Sequence, residues 1–130
     1  MEVVWLDART VKRLNQVALE EGEGHALNPG SDLEGVLNRP KGHYHYRGVR
    51  SLYELAALYA EALVEAHAFQ DGNKRTALLA IRAFLRANDM DFNYGAYDEE
   101  AADIMTGIAT GDVQRDELEE WIQANTTGGM

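Results

Sequence analysis

The feature that most constrains the fold is the stretch from Thr76 to Leu85, which is apolar on most sides when it is drawn as a helix. It lies within a longer segment, Asn73 to Ala87, that contains no glycine or proline to interrupt a helix. A helix that is apolar nearly all round is normally covered on every side by other elements. The sequence therefore predicts a buried central helix with other helices packed around it.

Three segments before this helix are also assigned, from residues that commonly begin or end helices. Asp7 is a candidate N-cap for a first helix that ends near the glycines of the loop 22–31. Asp32 begins a short second helix, Leu33 to Asn38, which Pro40 is expected to stop. The segment 41–50 is then expected to be irregular, either as a loop or as a short pair of strands.

The remaining helices follow from caps and breaks in the same way. Ser51 and Glu54 fit a capping box for a third helix that runs to His67. Asp98 is the expected start of a fifth helix, and Gly111 with Asp112 separates it from a sixth. With the tail 126–130 expected to be frayed, residues 1–130 are predicted to form one all-α domain of about six helices.

Composition and charge limit the classes of function. The chain has 22 acidic against 12 basic residues and a net charge of −10, which argues against nonspecific binding to nucleic acid or to an anionic membrane. There is no cysteine, no apolar run of membrane-spanning length and no signal peptide, so the cytoplasm is the expected location. Such acidity is compatible with a high-salt cytoplasm and equally with an ordinary acidic protein.

The segment from His67 to Thr76 concentrates groups that suit phosphate chemistry. It opens the predicted central helix, whose first N–H groups lack partners within the helix and carry the positive end of its dipole. Gly72 lets an anion approach this backbone, so the turn from Gly72 to Lys74 can form a phosphate cradle. The side chains of Lys74 and Arg75 add two cations beside it.

Two further residues of the segment complete a candidate catalytic site. Asp71 is a hard oxygen ligand suited to Mg²⁺ shared with phosphate oxygens. His67 can accept a proton near neutral pH. Each feature also has an ordinary explanation, because a histidine at a helix end is often structural and Asp-Gly often forms a turn.

The segment resembles the signature of the Fic/Doc family, His-x-Phe-x-Asp/Glu-Gly-Asn-Gly/Lys-Arg. Seven positions match this signature: His67, Phe69, Asp71, Gly72, Asn73, Lys74 and Arg75. The resemblance extends to the first helix, to the glycine-rich loop and to the residues Phe84 to Asn88. The chain's size resembles that of the Doc branch, the death-on-curing toxins. A Fic/Doc-type helical bundle is the fold that the resemblance implies.

The resemblance implies a role for each matched residue. His67 resembles the general base that takes the proton of the attacking hydroxyl, and Asp71 resembles the Mg²⁺ ligand. Phe69 resembles an anchor that pins the loop into the core. The remaining residues resemble the nucleotide-binding part of the site, with Gly72, Asn73 and Lys74 as the anion hole and Arg75 as a phosphate-binding cation. The implied cofactors are ATP and Mg²⁺.

Two positions distinguish the Doc branch from the larger Fic branch, which transfers AMP. Lys74 stands where that branch has a second glycine, and Leu78 stands where it has a second arginine. The resemblance therefore favours a Doc-like kinase that phosphorylates a Ser or Thr of a protein, with a translation elongation factor as the implied target. The alternatives are adenylyl transfer at the same site and an inactive binding module with this fold.

A last expectation concerns control of the activity. Self-inhibited Fic proteins carry the motif Ser/Thr-x-x-x-Glu-Gly/Asn, and no Glu-Gly pair here has Ser or Thr four residues before its glutamate. The expected partner is therefore an antitoxin that inhibits in trans.

Overall fold

The computed structural model describes residues 2–94 and 96–128 and confirms the predicted all-α fold. Its helices are α1 (Ala8–Ala18), α2 (Leu33–Arg47), α3 (Leu52–Ala66), α4 (Asn73–Ala87), α5 (Glu99–Thr110) and α6 (Arg115–Ala124). Two short strands, β1 (Met90–Phe92) and β2 (Thr126–Gly128), pair antiparallel with Met90 opposite Gly128. In the described part of the chain, no helix combines the length and the apolar character that crossing a membrane requires.

The predicted N-caps set the starts of four helices. The side chains of Asp7, Asp32, Ser51 and Asp98 each accept a hydrogen bond from the backbone N–H three residues later, at 2.8 to 3.2 Å. These bonds satisfy N–H groups that have no partner within the helix. They also hold the pKa values of the Asp7 and Asp98 carboxyl groups below the ordinary value, mainly through the bonded N–H of the first turn.

Helix α4 is the buried centre that the sequence predicted, and α3 is buried beside it. α4 contacts α1, α3, α5 and β1. Its buried side chains include Leu78, Ile81, Phe84 and Leu85, which belong to one hydrophobic core together with much of α3. Because α3 ends at Ala66 and α4 begins at Asn73, the short turn between two buried helices is held at both ends.

The predicted end of the second helix was wrong. α2 continues through Pro40 to Arg47, so the segment expected to be irregular is mostly helical. Proline removes one hydrogen bond from a helix interior, at a cost of about 3 kcal/mol. Here Pro40 is buried, so its packing against the core offsets part of that cost. The helix ends at Gly48, whose φ of 72° lies in the left-handed region that glycine tolerates.

The tail prediction was also wrong for residues 126–128. They form β2, which hydrogen-bonds to β1 directly after α4. The pairing joins segments far apart in the sequence. A strand of three residues is also too short to show a recognisable alternation of apolar and polar residues. Residues 129 and 130, the remainder of that predicted tail, lie outside the described residues.

A buried asparagine ties the N-terminal segment to the end of α4. Asn88 accepts a hydrogen bond from the Val4 N–H at 2.8 Å and donates to the Val4 carbonyl at 2.9 Å. It also donates to the Phe84 carbonyl at 2.8 Å, and the residue is only 4% exposed. Because both sides of its amide group are used, Asn88 closes the bundle at this end.

We expect Asn88→Ala to lower the free energy of unfolding by about 1–3 kcal/mol, because buried backbone groups lose their partners. Urea denaturation monitored by circular dichroism measures the change. Asn38→Ala is the matched control, since Asn38 is exposed on α2 and its loss should leave stability unchanged or slightly raised. Equal stability of the two variants would show that Asn88 does not hold the N-terminal segment.

Candidate functional site

The residues singled out by the sequence meet in one open cavity at the junction of α3 and α4. The cavity has a volume of about 380 Å³. His67, Asp71, Gly72, Asn73, Lys74 and Arg75 all line it, together with Glu20, Gln70 and Tyr97. The volume lies within the usual range for small-molecule sites. The proposed base, carboxylate, cations and helix N-terminus therefore face the same space.

The Asn73 side chain holds the turn that leads into α4. Its Oδ1 accepts the Phe69 N–H at 3.0 Å, and its Nδ2 donates to the Phe69 carbonyl at 2.8 Å. The Phe69 ring is only 1% exposed and packs in the core, as an anchor at this position was predicted to do. The same Nδ2 lies 3.3 Å from His67 Nδ1. One buried amide thus fixes the turn and orients the histidine ring.

His67 adopts a backbone conformation that is rare for a residue with a side chain. It caps the C-terminus of α3 with φ 47° and ψ 50°, in the left-handed region. This conformation costs a non-glycine residue roughly 1–2 kcal/mol and persists only when its surroundings enforce it. Asn28 helps to enforce it by donating to the carbonyl groups of His67 and Phe69 at 2.8 and 3.0 Å. The His67 side chain itself is exposed to solvent.

The N-terminus of α4 presents free backbone donors to the cavity. Gly72 precedes the helix with φ 75° and ψ 19°, which a residue with a Cβ rarely adopts. Its carbonyl accepts the Thr76 N–H at 2.8 Å. Within the described part of the chain, the N–H groups of Gly72, Asn73 and Lys74 donate to no protein acceptor. Free N–H groups beside the positive end of a helix dipole are the arrangement that the predicted phosphate cradle requires.

Asp71 is held from two sides beside this cradle. Its Oδ2 accepts the Gly24 N–H at 2.9 Å, and its backbone carbonyl accepts Asn15 Nδ2, also at 2.9 Å. No hydrogen bond to Oδ1 is found among residues 2–94 and 96–128, so this oxygen remains available to a ligand. The same residues contain no cluster of three acidic or histidine side chains that would enclose a metal. A single carboxylate oxygen fits Mg²⁺, which usually keeps several waters and shares phosphate oxygens.

Arg75 lies at the edge of the cavity with its guanidinium largely engaged by the protein. Nη1 donates to the Ala18 carbonyl at 2.7 Å and lies 3.3 Å from a carboxylate oxygen of Glu20. Nη2 contacts both carboxylate oxygens of Glu23, at 2.8 and 2.9 Å. Hydrogen bonds from the Glu20 N–H and from Arg75 hold the pKa of Glu23 below its ordinary value. Whether Arg75 also binds phosphate stays a prediction.

Several residues around the site were not identified from the sequence. Asn15 is fully buried on the otherwise apolar face of α1, and this interruption of the apolar pattern was a detectable signal. Glu23, Gly24 and Asn28 lie in the glycine-rich loop, whose composition gives no hint of their partners. Tyr97 lines the cavity, and burial raises the pKa of its hydroxyl. A tyrosine in a loop has too many ordinary explanations to indicate a site.

A protein-family model described as the Fic/DOC family matches residues 5–85 of this chain. The match includes α1 to α3 and most of α4, and therefore every residue of the predicted motif.

Two curated proteins are similar to about two thirds of the chain. Protein kinase doc of Escherichia phage P1 is 36% identical over 87 residues, which cover 66% of this chain and 65% of the phage protein. Toxin Doc of Mycolicibacterium smegmatis is 32% identical over 87 residues, covering 66% of this chain and 67% of that protein. The chain thus spans slightly less than two thirds of the phage protein's length.

We expect Asn73→Asp to destabilise the protein at neutral pH although it changes the side-chain volume little. A carboxylate still accepts the Phe69 N–H, but its second oxygen faces the Phe69 carbonyl, where the amide donated. The free energy of unfolding should fall by about 1–3 kcal/mol, measured by urea denaturation. Asn38→Asp, at an exposed position, is the control. Unchanged stability of Asn73→Asp would contradict the assigned role of the amide.

Proposed function

The chain belongs to the Fic/DOC family, and on that premise we propose that it is a Doc-type toxin that phosphorylates a protein. It transfers the γ-phosphoryl group of ATP to a Ser or Thr hydroxyl, and a translation elongation factor is the target suggested by the resemblance. The observation that carries the proposal is the meeting of free N–H groups, His67, Asp71 and Lys74 in one cavity. The similarity to a protein named protein kinase doc supports the same reaction.

In the proposed reaction, His67 acts as the general base. Its ring is exposed at the cavity, where a hydroxyl of the target can approach it. The imidazole takes the hydroxyl proton while the oxygen forms a bond to the γ-phosphorus. The bond from that phosphorus to the β,γ-bridging oxygen breaks, and ADP leaves with the electron pair. Positioning and charge stabilise such a transition state more than covalent chemistry does.

The cradle and Lys74 bind and orient the transferred phosphate. The N–H groups of Gly72, Asn73 and Lys74 point fixed partial charges at phosphate oxygens, which costs no reorganisation during the reaction. Lys74 makes no ion pair among the described residues, so its ammonium is free to meet a phosphate. Asp71 would hold Mg²⁺, and this ion would supply charge that neutralises the phosphate oxygens.

One sequence position supports phosphoryl over adenylyl transfer. Leu78 is 3% exposed and belongs to the hydrophobic core. It stands where adenylyl-transferring Fic proteins have an arginine, and a leucine cannot replace a guanidinium in binding terminal phosphates. Adenylyl transfer remains the second candidate, because it would use the same base and cradle. Replacing Leu78 by arginine is an unsuitable test, since it would place a charge in the core.

We propose that control comes from an antitoxin that acts in trans and covers the cavity. The chain lacks the self-inhibitory motif, and the relative named Toxin Doc supports a toxic activity that a partner must restrain. An antitoxin segment that orders on binding would fit such control.

We expect incubation with cell lysate to transfer label from γ-labelled ATP, and not from α-labelled ATP, to a protein. His67→Ala should lower this transfer by about 10²–10⁴ while leaving the fold intact, as loss of a general base does. His45→Ala is the control, because His45 is exposed on α2, outside the cavity. An acceptor that gains the mass of AMP would replace the kinase proposal by the adenylyltransferase alternative. Full transfer by His67→Ala would refute the assigned base.

Expression of the chain alone should arrest bacterial growth, and a small neighbouring gene for the antitoxin should relieve the arrest. The measurement is colony formation after induction, with His67→Ala as the inactive control. Normal growth with abundant, active and soluble protein would contradict the toxin proposal.

A further inference from the structure

Arg75 and Glu23 form the least expected contact of the site. The Arg75 side chain is 19% exposed and that of Glu23 27%, so the pair is partly shielded from water. Both Glu23 oxygens meet one guanidinium nitrogen, and the other nitrogen caps the Ala18 carbonyl at the end of α1. The C-cap residue of α1 is Leu19, whose backbone is extended, so neither a glycine nor a left-handed residue caps this helix. A cation on the last carbonyls of a helix is stabilising.

The Glu23 carboxylate also closes the turn in which it lies. It accepts the Glu20 N–H at 2.8 Å, and the Glu23 N–H donates to the Glu20 carbonyl at 3.1 Å. The next residue, Gly24, donates its N–H to Asp71 Oδ2. A closed ring therefore runs from Arg75 through Glu23 and Gly24 to Asp71, four residues before Arg75 on the same chain. Glu23 itself does not line the cavity.

We propose that Glu23 is a positioning residue that, clamped by Arg75, holds the Gly24 N–H on Asp71 and so sets the direction of this carboxylate. The hydrogen bonds to Oδ2 and to the Asp71 carbonyl restrict rotation of the carboxylate, and Oδ1 has no hydrogen-bond partner among the described residues. Groups that orient a ligating carboxylate tune the metal it holds. The inference rests on the proposed function for its catalytic consequence, but the ring of contacts does not depend on it.

The assignment changes the role expected of Arg75. The carboxylates of Glu20 and Glu23 offset its charge, and its guanidinium N–H groups already donate to the Ala18 carbonyl and to Glu23. Lys74 is then the side-chain cation that meets phosphate. The competing explanation is that an incoming phosphate displaces Glu23 from Arg75. The two explanations predict different effects of neutralising Glu23 on ATP affinity. The affinity should not change if Glu23 is a positioning residue, and it should rise if phosphate has to displace Glu23.

The first test needs no catalytic activity. We expect the Gly24 amide to be protected from hydrogen exchange in the full-length protein, as measured by NMR. In Glu23→Gln the exchange should become roughly ten- to a hundredfold faster, the effect of losing a charge-assisted hydrogen bond. Glu21→Gln removes the same charge from a neighbouring exposed residue and should change nothing. Unchanged Gly24 protection in Glu23→Gln overturns the proposal, even if the protein proves to have another activity.

The second test measures ATP and Mg²⁺. In Glu23→Gln, half-maximal phosphoryl transfer should require about 10- to 100-fold more Mg²⁺, whereas calorimetry should give an unchanged ATP affinity. Arg75→Gln should behave in the same way, and the double variant should be no worse than either single one. A rise in ATP affinity in Glu23→Gln, or a tenfold loss in Arg75→Gln, would instead make Arg75 a phosphate ligand. If Arg75→Gln does not fold, the Mg²⁺ requirement and the ATP affinity of Glu23→Gln are sufficient to decide between the two explanations.

Discussion

The arrangement of the site depends on the pair of hydrogen bonds between the Asn73 amide and the backbone of Phe69. The turn between α3 and α4 carries Phe69 into the core, and its backbone N–H and carbonyl are buried with it. Buried backbone groups need partners, which a tight turn cannot supply from its own main chain. Side chains supply them here, namely Asn73 and, for the carbonyl, also Asn28. Among the described residues, the N–H groups of Gly72, Asn73 and Lys74 at the start of α4 have no acceptor and remain available to a ligand.

This local character explains why so much could be predicted from the sequence. The cradle, His67 and Asp71 lie within one short segment, and the bounds of α4 follow from Gly72 and an unbroken apolar helix. α2 was predicted too short because proline was given its usual weight as a helix terminator, whereas burial of Pro40 allows the helix to continue. β2 was missed because it forms only by pairing with β1, and three residues carry too little pattern to predict a partner so distant in the sequence.

The support of the site could not be predicted for the same reason. Asn15, Gly24 and Asn28 contact the motif from positions 39 to 56 residues away in the sequence. Asn15 was detectable as a polar residue on the apolar face of α1, but the sequence does not show that its partner is Asp71. Gly24 and Asn28 are ordinary loop residues until the fold brings them to Asp71 and His67. The motif thus specifies which chemical groups are present, and α1 with its following loop sets their orientation. Substitutions in that loop can therefore alter contacts to Asp71 and His67 without changing the motif.

The electrostatics of the site are local in an acidic protein. The net charge of −10 repels ATP, and the Arg75 charge is offset by Glu20 and Glu23. At physiological ionic strength, charges farther than about 8 Å are largely screened, so the distant carboxylates weigh little against groups in direct contact with phosphate. Backbone N–H groups and the helix dipole act within the first turn and do not titrate. An anion that arrives with a divalent cation is repelled least, so the proposed function favours a nucleotide bound to Mg²⁺ over a free one.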